Sequence, residues 1–153
     1  MSDLLIERVD GDASLRDWRS VHNTVVPTAP LSFAQVSERA GRNVLSLARL
    51  DGVLVGCSTV RPPGADTRVA TVIARILPAF RRRGLGALLY AHGLELAREL
   101  GAEVIETCVL ESNPDGLRFA LRHGFVETDR YVLPGDTVPF IDLRLGEPSG
   151  GDV

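Results

Sequence analysis

An arginine- and glycine-rich turn between a predicted strand and a predicted helix carries the clearest chemical signal in the sequence. Three consecutive arginines, residues 81–83, are followed by Gly84 and Gly86 and then by a leucine-rich helical pattern. The first N–H groups of a helix have no intrahelical partner, and glycine lets an anion approach the backbone closely. The turn therefore predicts a site for a phosphate-bearing ligand, with a pyrophosphate expected. The alternative is an arginine-rich helix start that binds nothing.

The spacing of the glycines argues against two common phosphate-binding motifs. A dinucleotide fingerprint requires a third glycine where this chain has Leu89, and a Walker loop requires a lysine, which the chain lacks. The residues present instead form an Arg-x-x-Gly-x-Gly pattern, with Arg81, Gly84 and Gly86 at its defined positions. This pattern resembles the pyrophosphate loop of the GCN5-related N-acetyltransferase (GNAT) family, which binds acetyl-CoA.

A second segment resembles another signature of the same family, in which an asparagine opens a short helix that closes with Gly-Phe. Asn113 follows a β-rich stretch and has the residue type of a helix N-cap, while Pro114 suits the first helical position. The residues in register with the signature are Asn113, Phe119, Gly124 and Phe125. Two signatures in the right order are more specific than one, and the resemblance covers roughly Thr67 to Leu145.

The rest of the chain predicts a mixed α/β (α+β) fold with the element order βααββ-βαβαββ. The resemblance implies the acyl-CoA N-acyltransferase fold, a mostly antiparallel central sheet with helices on both faces. We expect a single domain over residues 1–146 and a flexible tail over residues 147–153. After the arginines, helical spacing is shown by Leu85, Leu88, Leu89, His92, Leu96 and Leu100. The predicted strands are residues 4–9, 44–50, 53–60, 69–76, 104–110, 125–133 and 138–145, and the predicted helices are residues 13–24, 32–41, 85–100 and 113–123.

Composition narrows the functional classes. The chain has 153 residues and a formal net charge of −3, and its clustered positive charge is local, so we expect no nucleic-acid partner. It has no long apolar run and no basic-then-apolar start, which predicts a cytoplasmic protein without a membrane partner. Cys57 and Cys108 fall inside predicted strands, so we expect buried free thiols and neither a disulfide nor a metal site.

The resemblance implies acetyl-CoA as the cofactor and direct transfer of its acetyl group to an amine, without a covalent acyl-enzyme. In the family, the backbone of the fourth strand pairs with the pantetheine arm, amides of the turn hold the pyrophosphate, and the asparagine lies near the thioester. Carried over to this chain, the cofactor-binding residues are Ala74, Arg75, Ile76, Arg81, Arg82, Arg83, Gly84, Leu85, Gly86, Ala87, Asn113 and Phe119.

The chain departs from the family at the usual proton-transfer positions. Ala120 occupies the position of the tyrosine expected seven residues after the asparagine. Cys108 and Thr71 occupy the two strand positions at which relatives commonly place a catalytic base. We assign Glu106 and Tyr131 as the candidate catalytic residues, with water or His22 as alternatives. The competing interpretations are that Glu106 is an exposed charge on a strand and that Tyr131 and His22 are ordinary packing residues.

The resulting hypothesis is an N-acetyltransferase acting on a primary amine of a small molecule or a peptide N-terminus. The alternatives are an acyl-CoA-binding sensor with weak catalysis, a transferase for a longer acyl group, and transfer to oxygen. The acceptor site is expected between residues 18–42 and residues 131–139. The sequence leaves open the acceptor, the acyl length and a homodimer.

Overall fold

A seven-stranded sheet flanked by four helices forms the protein in the computed structural model, which describes residues 4–146. The strand order across the sheet is β1-β2-β3-β4-β5-β7-β6. Residues 1–3 of the predicted domain and residues 147–153, the predicted flexible tail, lie outside the described residues. The strands are β1 (Leu4–Arg8), β2 (Val44–Leu50), β3 (Val53–Arg61), β4 (Val69–Ile76), β5 (Val104–Leu110), β6 (Phe125–Tyr131) and β7 (Phe140–Leu145), and the helices are α1 (Asp12–Val25), α2 (Phe33–Arg42), α3 (Leu85–Glu99) and α4 (Pro114–Arg122).

The predicted order of elements is confirmed, and the boundaries differ mainly in the last hairpin. Strand β6 ends at Tyr131 and β7 begins at Phe140, two residues inside each predicted limit. The backbone N–H of Asp136 donates to the carbonyl of Leu133 at 2.9 Å, so this segment forms a turn rather than a continuation of the strand ladder. Ser32 caps α2 as predicted, and Gln35 completes a capping box.

The sheet carries a separate core on each face. On one face, Tyr90 and Ala97 of α3 and Ala120 of α4 pack against Val72 and Ile105 of the central strands. On the other face, α1 and α2 cover β2 and β3 through a cluster that contains Leu15, Trp18, Val21, Val36, Leu45, Leu47 and Cys57. Alternate residues of each central strand therefore point toward opposite pairs of helices.

The helical spacing of the leucines in α3 coincides only partly with the buried face of the helix. Leu88 is 57% exposed and His92 is also exposed, whereas Tyr90, Gly93 and Ala97 are buried. A Cβ at Gly93 would lie 2.6 Å from a side-chain carbon of Val72, so small residues let α3 approach the sheet closely. The leucine periodicity pointed to a neighbouring face of the same helix.

Strands β4 and β5 form the one parallel pair among the described strands, and they separate early. They pair at Val69 with Val104, Ala70 with Ile105 and Thr71 with Glu106, and then diverge. Beyond Thr71, β4 pairs only with β3, while β5 pairs with β7. Within the described residues, no helix is long and apolar enough to cross a membrane.

Candidate functional site

A cleft of about 1040 Å³ opens where β4 and β5 diverge. It extends from α3 and α4 on one face of the sheet, through the gap between the two strands, to α1 and α2 on the other face. The segments expected to build the acceptor site contribute lining residues, including residues 28–31, Leu133 and Asp136, and Phe140 lines the cleft beside them. The cleft therefore has two compartments that communicate through the divergence of the strands.

The start of α3 supplies backbone donors to the first compartment. Gly84 precedes the helix with φ 79° and makes no side-chain cap, and Arg82 also has a positive φ, 66°. The first intrahelical acceptor here is the Gly84 carbonyl, which binds the N–H of Leu88. The N–H groups of residues 85–87 therefore have no partner within the helix, and they carry the positive end of its dipole. Gly84, Gly86 and Ala87 line the cleft.

The three arginines of the turn have different positions. Arg81 and Arg82 line the cleft, but Arg83 lies over the ring of Phe80 at 5.6 Å and is not among the lining residues. The guanidinium of Arg81 donates to the Ile76 carbonyl at 3.0 Å and lies 3.7 Å from Asp115 of α4. Arg81 thus joins the end of β4 to α4 and holds both walls of the compartment.

The edge of β4 that faces the divergence is the second backbone feature. Residues 72–75 pair with β3 on one side and have no strand partner on the other. Ala74 and Arg75 line the cleft, and so does Ile76, although its carbonyl accepts from Arg81. An extended ligand can therefore add to this edge as a further strand would.

The remaining predicted cofactor residues come from α3 and α4. Asn113 caps α4, accepting the N–H of Gly116 at 3.1 Å, and both Asn113 and Phe119 line the cleft. The Phe119 ring lies 3.3 Å from where a Cβ on Gly86 would be, so this glycine leaves no spare room for a side chain. The side chain of Leu85 packs into a core cluster, which leaves only its backbone for a ligand.

On the other face, Tyr131, Cys108 and Asp142 form a polar cluster. The Tyr131 hydroxyl donates to Asp142 at 3.0 Å, and Asp142 is the cross-strand partner of Cys108. Burial, followed by the neighbouring Asp142 carboxylate, raises the pKa of the Cys108 thiol to about 11. Burial and the same neighbours raise the pKa of Tyr131 above its usual value. Both groups are therefore protonated at neutral pH.

The other proton-transfer candidates are less favourably placed. Glu106 is the last residue of β5 that pairs with β4, opposite Thr71. Its carboxylate binds Arg144 at 3.1 Å, and it does not line the cleft. His22 does line it, stacked on Trp18 with ring centroids 5.3 Å apart. Burial lowers the pKa of His22 to about 4, so the ring is neutral at pH 7. Ala120 is buried and leaves no acidic group at its position.

Two features of this site are absent from our sequence-based predictions. Asp142 depends on the register between β5 and β7, which places its carboxylate beside Cys108 and which the sequence does not indicate. Arg39 and Arg61, which line the cleft, give no local signal because α2 and the end of β3 are distant in sequence. Of the two free cysteines, Cys57 is buried as expected and Cys108 is only half-buried.

Comparison with known proteins supports the resemblance. Residues 12–125 match the model of the acetyltransferase (GNAT) family. No curated protein sequence matches the chain significantly.

Solved structures share the fold at low sequence identity. A protein provisionally assigned as a phosphinothricin N-acetyltransferase is 19% identical with a TM-score of 0.78, covering 95% of this chain and 100% of its own. The yncA protein from Salmonella typhimurium, solved with its cofactor acetyl-CoA, is 18% identical with a TM-score of 0.73, covering 98% of each chain. A ribosomal-protein-alanine N-acetyltransferase from Brucella melitensis is 18% identical with a TM-score of 0.71, covering 92% of this chain and 98% of its own.

The contact between Cys108 and Asp142 predicts an alkylation rate that depends on the carboxylate. Asp142→Asn removes a negative charge that raises the Cys108 pKa, so more thiolate should form at pH 8. We expect iodoacetamide to label Cys108 several-fold faster in this variant, as measured by mass spectrometry. Cys57, whose pKa burial raises to about 12, serves as an internal control and should stay unlabelled. The contact would be contradicted if Asp142→Asn and wild-type protein label Cys108 at the same rate between pH 7.5 and 9.5.

Proposed function

The chain belongs to the acetyltransferase (GNAT) family, and from that premise we propose that it transfers the acetyl group of acetyl-CoA to a primary amine. The acceptor is a small molecule or a peptide N-terminus. The observation that carries the proposal is the juxtaposition of two sets of unpaired backbone groups on one cleft, at the start of α3 and along β4. The family uses acetyl-CoA, and these two features fit the two ends of that molecule.

The residues of the first compartment fit the cofactor in charge and in shape. The N–H groups of residues 85–87 and the nearby guanidinium of Arg82 would hold the pyrophosphate, which prefers a helix N-terminus. The free edge at residues 72–75 would pair with the amides of the pantetheine arm. Bound there, acetyl-CoA supplies a thioester carbonyl that the acceptor amine attacks directly.

We infer that Tyr131 and Asp142 handle the proton of the acceptor. The phenolic oxygen takes a proton from the incoming ammonium while its own proton passes to Asp142, to which it already donates at 3.0 Å. Solvent then takes that proton from Asp142. The free amine that results would attack the thioester carbonyl, and as the C–S bond breaks a second proton would pass from the amine nitrogen through solvent to the departing thiolate. Holding the amine close to the donor accounts for much of the rate. Glu106 is not proposed for this step because Arg144 binds its carboxylate.

A second candidate function is acyl-CoA binding with weak catalysis. It is favoured by Ala120, which is buried where the family usually has a tyrosine, so that no side chain at this position can protonate the thiolate. Release of free thiol from acetyl-CoA with a panel of primary amines separates the two, since a binding protein retains the cofactor without releasing thiol.

Gly86→Asp tests the cofactor site directly. The substitution places a carboxylate beside the proposed pyrophosphate site, and its Cβ would also press on Phe119 at 3.3 Å. We expect the affinity for acetyl-CoA to fall more than tenfold, or more than about 1.4 kcal/mol, as measured by calorimetry.

The matched control for that experiment is Gly41→Asp, which makes the same change in charge at a glycine with open space around its Cβ and ordinary helical backbone. It should bind acetyl-CoA like the wild type. A folded Gly86→Asp protein with unchanged affinity would overturn the proposed cofactor site.

Tyr131→Phe tests the proton path. It removes the hydroxyl that bonds Asp142 and keeps the ring that stacks on Phe140. We expect kcat to fall at least tenfold, since general acid–base catalysis contributes about 10²–10⁴, with acetyl-CoA affinity within twofold of wild type. Because the Tyr131 pKa is raised, wild-type kcat should show no falling alkaline limb up to pH 10. An unchanged kcat would mean that water alone moves the proton.

A further inference from the structure

Three arginines without acidic partners face the second compartment of the cleft. Arg39 of α2, Arg61 of β3 and Arg75 of β4 all line it. Among residues 4–146, none of their side chains makes an ion pair or donates a hydrogen bond to another residue. By contrast, Arg81 and Arg118 of the first compartment both pair with Asp115. Arg82 and Arg122, which also line the cleft on that side, make no ion pair among the described residues. Three unpaired arginines therefore lie on the acceptor side, in addition to those at the cofactor side.

The sheet register explains how these arginines come together. Arg75 lies opposite Cys57 and Arg61 opposite Thr71, so both point to the face covered by α1 and α2. Arg39 follows the buried Val36 by three residues and shares its side of α2. Burial lowers the pKa of Arg75 and of Arg39, and neighbouring arginines lower it further. Each guanidinium stays charged at neutral pH, so the arginine side chains repel one another until an anion binds between them.

The opposite wall of this compartment has the complementary chemistry. Tyr131, bonded to Asp142, faces the cleft from the strands beyond the divergence, and these groups attract an ammonium. His22 lies on the floor as a neutral ring, because burial lowers its pKa to about 4. One wall thus favours a cation and the other an anion. A ligand that carries both charges close together satisfies both walls.

We propose that the acceptor is a free α-amino acid, whose carboxylate binds Arg75 and Arg39 while its amine lies toward Tyr131. The inference deepens the proposed acetyl transfer and rests on it. Arginine binds carboxylates through paired, charge-assisted hydrogen bonds, which is the recognition that a half-buried and unpaired guanidinium offers. A peptide N-terminus lacks a carboxylate next to its amine and leaves these arginines without a partner.

The test compares amino acids with their amides, which keep the ammonium and lose the negative charge. Wild-type protein, with and without bound CoA, is titrated calorimetrically with alanine, methionine, phenylalanine and glutamine and with the corresponding amides. We expect at least one amino acid to bind tenfold or more tightly than its amide. Arg75→Gln should abolish that preference, Arg75→Lys should restore part of it, and Arg39→Gln should reduce it severalfold.

The matched control is Arg42→Gln, on the same helix as Arg39 but exposed and paired with Glu38. It should keep the full preference. The inference is overturned if no pair shows a preference, through equal binding or through none. It is equally overturned if the preference survives both Arg75→Gln and Arg39→Gln. Arg39 lies on a different element, so its variant tests the inference even if Arg75→Gln does not fold.

The outcomes separate this inference from the proposed function. If amides are acetylated as well as amino acids, acetyl transfer stands and the carboxylate site does not exist. If acetyl-CoA fails to bind but amino acids are still preferred over amides, the carboxylate site stands and the proposed transfer does not.

Discussion

The early separation of β4 from β5 is the constraint on which the rest of the structure depends. Two parallel strands that pair at only three positions leave backbone N–H and C=O groups of β4 without partners in the middle of a sheet. Buried backbone groups are nearly always paired, so such a gap costs free energy unless solvent or a ligand fills it. We therefore propose this gap as the ligand site. It also connects the two faces of the sheet, and we propose that the donor and the acceptor meet there.

The two faces next to the gap have different electrostatics because different elements build them. On the α3 and α4 face, helix N–H groups and Arg82 supply positive potential, while Arg81 joins β4 to α4. On the α1 and α2 face, Arg75 has no acidic partner among the described residues, and the Tyr131–Asp142 pair lies across the cleft. A net charge of −3 for the whole chain conceals this local separation.

The local parts of this arrangement could be predicted from the sequence, and the long-range parts could not. The Arg81–Gly86 turn and the Asn113 cap each depend on residues that are adjacent in the sequence, and both form as expected. The buried face of α3 differs from its leucine spacing because small residues such as Gly93 pack against the sheet beside Leu85 and Leu89. Asp142 was missed because its meeting with Cys108 depends on the register between β5 and β7, which residue spacing alone does not encode.

Hydrogen–deuterium exchange of the backbone amides tests the central claim most directly, since the account assigns function to unpaired backbone groups. In the free protein, the amides of residues 85–87 should exchange rapidly, as should those of residues 72–75 that face the gap. Saturating acetyl-CoA should slow both sets by tenfold or more, while amides in the β2–β3 pairing keep their rates. Unchanged exchange at residues 85–87 in the presence of saturating acetyl-CoA would contradict the account.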